Sequence, residues 1–379
     1  MTIPLAKPDI NDDDRAAVQS VLDDADGRLA LGPRLSAFEA ALAVASDRTH
    51  AVAVNSGTSA LHLIIRSLGI GPGDEVITTP YSFIASTNCI LMEGATPVFV
   101  DIDPVTLCID PERVAAAVTP RTKAILGVDV FGHPADWPAL TSIADEHGLA
   151  LIEDSAEALG SRLGGRACGS FGRAGIFGFY PNKQITTGEG GAVVTDDEAL
   201  AASCRSMADQ GRGDGGWLNH VRLGYNYRLD EMSAALGVSQ VGRLDALVAA
   251  RRRVAEAYLD ALSGCERIVC PSVADDVDMS WFVFVIRLAD ACSREDRDRV
   301  LRALRADGIG CRDYFQPIHL QPFIQEALGT RRGDYPITEA VGDRSIALPL
   351  FPQMTADQVA AVVESLLCAL QTLGDRCEV

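Results

Sequence analysis

Between Ala51 and about Thr195, short apolar runs alternate with helical patterns, and this alternation constrains the fold of the 379-residue chain more than any other feature. AVAV (Ala51–Val54) leads through Asn55-Ser56-Gly57 into an amphipathic helix over Thr58–Leu68. EVITT (Glu75–Thr79) precedes a helix from about Ser82 to Met92. TPVFV (Thr96–Val100) and KAILGV (Lys123–Val128) read as strands, Pro134–His147 as a helix, and the run ending at Glu153 as a buried strand. GIFGF (Gly175–Phe179) and GAVVT (Gly191–Thr195) add two strands around a Gly-rich loop. Strands apolar on both sides, alternating with helices, predict an α/β fold with a mostly parallel central sheet covered by helices. From Asp230 the pattern changes to one long helix reaching about Leu262, a strand at Trp281–Leu288, and helices at Arg294–Asp307 and Thr355–Leu373. That reads as a smaller α+β C-terminal domain, and the expected division is 1–245 and 246–379. With 47% hydrophobic residues the chain can bury a core in each part.

Charge excludes some functions. The formal net charge is −19, and no block of Lys and Arg is dense enough for a nucleic-acid footprint. The densest run, Arg251-Arg252-Arg253, falls in a helical pattern and is expected to be a solvated helix face. The N-terminal segment is polar and lacks the apolar stretch of a signal peptide. No run of about 18 apolar residues is present, so no membrane span is expected. The ten cysteines, from Cys89 to Cys377, form no CxxC pair and are expected to be reduced thiols in a cytoplasmic protein. No Cys or His pair stands at ligand spacing, so no metal site is expected.

Four segments carry chemistry. In FYPNKQITTGEGG (Phe179–Gly191), Lys183 lies between two strands ahead of Gly188, Gly190 and Gly191. A lysine in a buried segment is costly to keep charged, and an imine-forming amine must react in its neutral form; the ordinary alternative is a strand-end lysine reaching solvent. In LIEDSAEALG (Leu151–Gly160), a strand ends on Glu153-Asp154, and the carboxyl ends of parallel strands are where ligands sit. A carboxylate there could hold the proton of a pyridinium nitrogen, or Asp154 and Glu157 could form a helix capping box. In NSGTSAL (Asn55–Leu61), a strand, a Gly turn and a helix start place free N–H groups and the hydroxyls of Thr58 and Ser59 where a phosphate could rest. In TPYSFIAS (Thr79–Ser86), Phe83 follows a strand end and could stack on a planar ring or fill the core.

Together these segments form a phosphate cradle, a stacking aromatic, a carboxylate and a lysine, in that order. The chain resembles the DegT/DnrJ/EryC1/StrS family of sugar aminotransferases over nearly its full length. Further family-like segments are LALGPRLSAFE (Leu29–Glu39), VFGHPAD (Val130–Asp136), LGYNYRLDEMSAALG (Leu223–Gly237) and YFQPIHLQPF (Tyr314–Phe323). The resemblance implies a fold-type-I pyridoxal-phosphate enzyme. Lys183 would form the Schiff base and serve as acid–base, Asp154 would bind the pyridine nitrogen, and Phe83 would stack on the ring. Gly57, Thr58 and Ser59 would hold the phosphate, with Glu157 near the ring oxygen. Asn226 would reach the phosphate of a neighbouring subunit in a homodimer with shared sites, Arg228 would hold that loop, and Tyr314, His319 and Arg228 would belong to the substrate side. Two departures stand out: many members carry serine where this chain has Gly178, and Gln or His where it has Glu157.

The implied reaction moves nitrogen from L-glutamate to a keto group of a nucleotide-linked deoxysugar. EDSAEALG resembles the branch containing perosamine synthases, which favours the 4-keto over the 3-keto position. Lys183 argues against the related 3-dehydratases, which carry His there. An aminocyclitol aminotransferase and a non-catalytic regulatory protein are the alternatives; the second would lack the imine absorbance.

Overall fold

The computed structural model describes residues 2–373. The chain opens with helices α1 (Asp12–Leu22) and α2 (Pro33–Ala45), followed by strand β1 (His50–Val54) and helix α3 (Gly57–Ser67). Then come β2 (Glu75–Thr78), α4 (Ala85–Met92), β3 (Thr96–Phe99), α5 (Pro111–Ala117), β4 (Thr122–Val128), α6 (Trp137–His147) and β5 (Ala150–Asp154). The short strands β6 (Arg162–Leu163) and β7 (Arg166–Ala167) precede β8 (Ala174–Gly178), β9 (Gly191–Thr195) and α7 (Glu198–Ala208). The central sheet has seven strands in the order β1-β9-β8-β5-β4-β2-β3, and every neighbouring pair is parallel except the two that involve β9.

Successive residues of these strands point into different cores, as a pleated strand requires. Ile176 and Val193 belong to one apolar cluster, while their neighbours Phe177, Ala192 and Val194 belong to another. Each fully buried Val, Leu or Ile contributes roughly 1.5–3 kcal/mol, which holds a sheet covered on both faces. The expected α/β architecture is therefore the observed one.

Beyond the sheet, α8 (Glu231–Val241) and α9 (Leu244–Leu262) are two helices, where the sequence predicts one from Asp230 to Leu262. The break falls at Gly242-Arg243. Arg243 leaves helical geometry, at φ −113°, and its guanidinium binds Asp9 at 2.8 Å and Asp14 at 2.7 Å. The C-terminal part contains β10 (Ile268–Val269), β11 (Val277–Asp278), β12 (Phe284–Leu288), α10 (Arg294–Ala306), α11 (Pro322–Leu328), α12 (Pro336–Arg344), β13 (Ser345–Leu348) and α13 (Ala356–Gln371). Strands β10, β12 and β13 form an antiparallel sheet. The strand expected from Trp281 starts only at Phe284, because Trp281 adopts φ +55° and Phe282 donates its N–H to the Phe131 carbonyl. The N-terminal residues run along this part: Ile3 bridges Ile309, and Leu350 donates to the Leu5 carbonyl.

Two expectations need correction. Arg251 is 1% exposed, so the arginine run is not wholly a solvated face; Arg252, paired with Asp278, and the exposed Arg253, which reaches the Pro352 carbonyl, behave as expected of one. Cys292 is disulfide-bonded, against the expectation of thiols throughout, whereas Cys89, Cys108, Cys168, Cys204, Cys265, Cys270, Cys311 and Cys368 are free. Cys377 lies outside the described residues. Among the described residues, no helix is long and apolar enough to cross a membrane.

Candidate active site

The adjacent parallel strands β5 and β8 end at the same edge of the sheet, with Asp154 registered against Ile176. A cavity of about 660 Å³ opens there, lined by Gly57, Thr58, Phe83, Asp154, Glu157 and Lys183 among others. These six sequence-predicted residues, drawn from four separate segments, converge on one site, and Tyr314 joins them from the C-terminal part.

Asp154 closes β5 and is 4% exposed. Its Oδ2 accepts from Ser86 Oγ at 2.8 Å and its Oδ1 from the Ala156 N–H at 3.2 Å. No helix begins at this point, so the capping-box alternative for Asp154 and Glu157 falls away. Burial raises the Asp154 carboxyl above the usual range, against the opposing pull of the Ser86 and Ala156 hydrogen bonds and the Lys183 charge. A buried carboxylate aimed into a cavity is suited to a cationic partner there.

Lys183 sits in the loop between β8 and β9. Its N–H donates to the Tyr180 carbonyl, and the loop is closed by Phe179 N–H to Gly190 O at 2.9 Å. The side chain is 14% exposed; Nζ lies 3.4 Å from Glu157 Oε1 and 4.0 Å from the centre of the Phe282 ring. The chain has only three lysines, and Lys7 and Lys123 are exposed elsewhere. Glu157 is 6% exposed, and its Oε2 accepts from the Phe131 N–H at 2.9 Å. Burial raises its carboxyl, with Lys183 and the Phe131 N–H pulling the other way.

The N-terminus of α3 faces the same space. Ser56 caps it by accepting the Ser59 N–H at 3.1 Å, which leaves the first-turn amides of Gly57 and Thr58 without an intrahelical acceptor. A Cβ on Gly191 would collide with the Ser56–Gly57 backbone, so glycine is what lets β9 approach this turn. Ser59 itself is buried and donates to Asn55 Oδ1 at 2.7 Å; Ser56 lines the cavity in its place. Phe83 is 62% exposed, an apolar face available to a planar ring. Amides for a phosphate, a face for a ring, a carboxylate for a ring nitrogen and an amine for an aldehyde fit pyridoxal phosphate.

Besides Ser59, three sequence-predicted residues lie outside the cavity walls. His319 is fully buried, with Nε2 2.9 Å from Glu339 Oε1 and Nδ1 unpartnered; burial lowers its pKa against the pull of Glu339. Arg228 pairs with Asp209 at 2.7 Å. Asn226 is exposed, its backbone bridged to Asp209. Asp230 caps α8 by accepting the Ser233 N–H, as the intrachain reading of that segment has it. Sequence reasoning missed Ser86, Asn182, Phe282 and Arg312. Asn182, next to the lysine, offered a signal; Phe282 and Arg312 reach the site only through tertiary folding. Asp129, Glu153 and Cys168 also bring possible ligand atoms within 4.8 Å of one another. The carboxylates are already bonded by Ala135 N, Trp137 Nε1, Ser155 Oγ, Gly169 N and Phe171 N, which makes the group a hydrogen-bond network.

Comparison with known proteins agrees with this geometry. Residues 8–367 match the DegT/DnrJ/EryC1/StrS aminotransferase family. The chain is 37% identical over 374 residues to the spore coat polysaccharide biosynthesis protein SpsC of Bacillus subtilis (strain 168), covering 96% of each. It is similar to the crystal structure of S. venezuelae DesV in complex with a ketimine intermediate, at 39% identity, TM-score 0.88 and 94% of each chain. It is also similar to the PLP-form of the putative sugar aminotransferase Spr1654 from Streptococcus pneumoniae, at 27% identity and TM-score 0.93, over 98% of this chain and all (100%) of that one. The chain belongs to the DegT/DnrJ/EryC1/StrS family and is a pyridoxal-phosphate-dependent aminotransferase acting on sugars.

Proposed function

We propose that the enzyme moves the amino group of L-glutamate to the keto group of a nucleotide-linked deoxysugar, with the 4-keto position favoured over the 3-keto. The observation that carries this reading is the cavity itself. It holds Lys183 and Asp154, and its lining also includes Asn182, Glu189, Asp313, Tyr314 and Gln316, which could bond sugar hydroxyls, and Arg312, which could meet a phosphate.

Pyridoxal phosphate, when bound, supplies an electron-withdrawing ring that takes up the electron pair left by a broken C–H bond. The chain's residues do the rest. Lys183 Nζ would hold the cofactor's aldehyde carbon and would serve as the acid–base that moves a proton. Asp154, oriented by Ser86 and the Ala156 N–H, holds the proton of the ring nitrogen. Gly57, Thr58 and Ser59 anchor the phosphate end, Ser59 by fixing the turn through Asn55. Phe83 shields one face from water. The same reading makes the protein a cytoplasmic homodimer, divided into domains near the start of α9, with Asn226 reaching the partner's phosphate and Arg228 holding that loop. Tyr314 lies on the substrate side, and His319 acts there only from behind the wall.

The test is a screen of amine acceptors with L-glutamate as donor, reading 2-oxoglutarate and the aminated product by mass spectrometry. Turnover on a nucleotide-linked 4-keto sugar is expected. Turnover confined to a free cyclitol ketone would replace the sugar reading, and turnover confined to 3-keto sugars would move the reacting carbon.

A further inference from the structure

Arg251 is the one member of the arginine run that folding buries, at 1% exposure. It lies on the inward face of α9 with Val248, Val254 and Ala255. Among the described residues no carboxylate pairs with it; its partners are backbone carbonyls. Nη2 donates to Lys183 O at 2.7 Å and Asn182 O at 3.5 Å, and Nη1 to Phe282 O at 3.3 Å and Trp281 O at 3.4 Å. Nε has no partner. Two of the carbonyls belong to the lysine loop and two to the segment leading into β12, and the shortest bond goes to Lys183 itself.

A buried guanidinium without a counter-charge is expensive, and burial alone lowers its pKa to about 10. Its planar fork reaches two separate peptides at once, which a lysine ammonium cannot reproduce. Those two peptides carry the Lys183 amine and the Phe282 ring that lie 4.0 Å apart. We propose that Arg251 is a positioning residue that clamps the Lys183 and Phe282 peptides together, fixing where Nζ meets the cofactor. This rests on the reading of Lys183 as the imine-forming residue.

The experiment adds pyridoxal phosphate to apoenzyme and follows the imine absorbance, in wild type, Arg251→Met, Arg251→Lys, Lys183→Ala and the surface control Arg252→Met. Melting temperatures with and without cofactor are recorded alongside. Arg251→Met should form the imine about tenfold more slowly or worse, as expected when a reacting group is misplaced. Arg251→Lys keeps the charge and loses the fork, so formation should remain slow. Arg252→Met should match wild type throughout. If both Arg251 variants lose only melting temperature, equally with and without cofactor, while imine formation matches wild type, the clamp is overturned. Should Arg251→Met fail to fold, wild-type imine formation in Arg251→Lys is enough to reject it. An imine band retained in Lys183→Ala would instead overturn the assignment of Lys183 and leave the fault there.

Discussion

A carboxyl group beside an amine serves as base or as proton donor according to its surroundings, and at Glu157 the surroundings favour the proton. Burial is the dominant influence and raises its pKa; the Lys183 charge and the Phe131 N–H only oppose it. Were Lys183 Nζ to lose its charge, that opposition would weaken and Glu157 would be pushed further toward the neutral acid. A protonated Glu157 could donate to a ring oxygen, as a glutamine amide in its place could. Glu157→Gln should therefore keep turnover within about tenfold of wild type. The sign of its pH effect follows from the raised pKa. Wild type loses the donor as pH rises through that pKa, so kcat should fall on the alkaline side, and the fall should be absent in Glu157→Gln. Superimposable pH profiles would return Glu157 to a purely structural hold on Phe131. Lys183→Ala should lose turnover and imine absorbance together, since the remaining lysines, Lys7 and Lys123, are exposed elsewhere. A tenth of wild-type activity retained in that variant is enough to reject its assignment.

At the scale of elements, β8 and β9 set the cradle. A Cβ on Gly178 would stand 3.6 Å from Ala156 Cβ and 3.9 Å from Lys183 Cε, ordinary contacts at a backbone that any residue adopts. Gly178→Ser should fold unhindered and add a hydroxyl beside the phosphate end, so cofactor should dissociate more slowly in dialysis. Unchanged retention would mean the serine of the relatives does other work. Behind the site, Asp129 lies fully buried, its carboxyl raised well above the usual range by burial and then by the Glu153 charge. A carboxyl raised on folding contributes stability that is present below the unfolded pKa, about 4, and lost as pH rises through the folded one. Asp129→Asn keeps an acceptor for Ala135 and Trp137 and can donate to Ser155. It should melt higher than wild type at pH 8, with the difference shrinking toward pH 4. The opposite trend would show that Asp129 is charged in the fold. The strands around these groups were legible because both faces are apolar, so β4 and β9 begin and end within a residue of expectation. The break before α9 was not, because Arg243 is drawn out of the helix by Asp14, 229 residues away in sequence. Burial of Arg251 was hidden for a related reason: three arginines in a row fix no helical phase, and the fold decides which one turns inward. His319 stood in a segment that lines the cavity, but its own side chain faces Glu339.

For the whole molecule, the open question is where Asn226 acts. Its neighbours are satisfied within the chain. Tyr227 OH lies 3.1 Å from His62 Nδ1, Tyr225 stacks on Tyr227 with centroids 4.9 Å apart, and Arg228 binds Asp209. Asn226 between them is exposed, and close by in sequence so are Trp217, Leu218, Val221 and Leu223, at 55–75%. An exposed apolar patch often marks a protein contact, and Asn226 is exposed a few residues beyond these side chains, which are interspersed with the exposed Asn219, His220 and Arg222. A two-fold dimer would cover the patch and deliver each Asn226 to the other subunit's cradle, because a symmetric interface makes every contact twice. The enzyme should therefore sediment as a dimer, and two inactive variants should complement one another. Mixed with Asn226→Ala under subunit exchange, Lys183→Ala supplies the intact Asn226, and the other chain supplies the intact lysine. Random exchange makes half the dimers mixed with one whole site each, so activity should recover to about a quarter of wild type. The control is each variant alone, which should stay inactive. If exchange is demonstrated by mass and the mixture remains dead while Asn226→Ala alone is inactive, Asn226 works within its own chain. If Asn226→Ala alone is fully active, it has no part in the site.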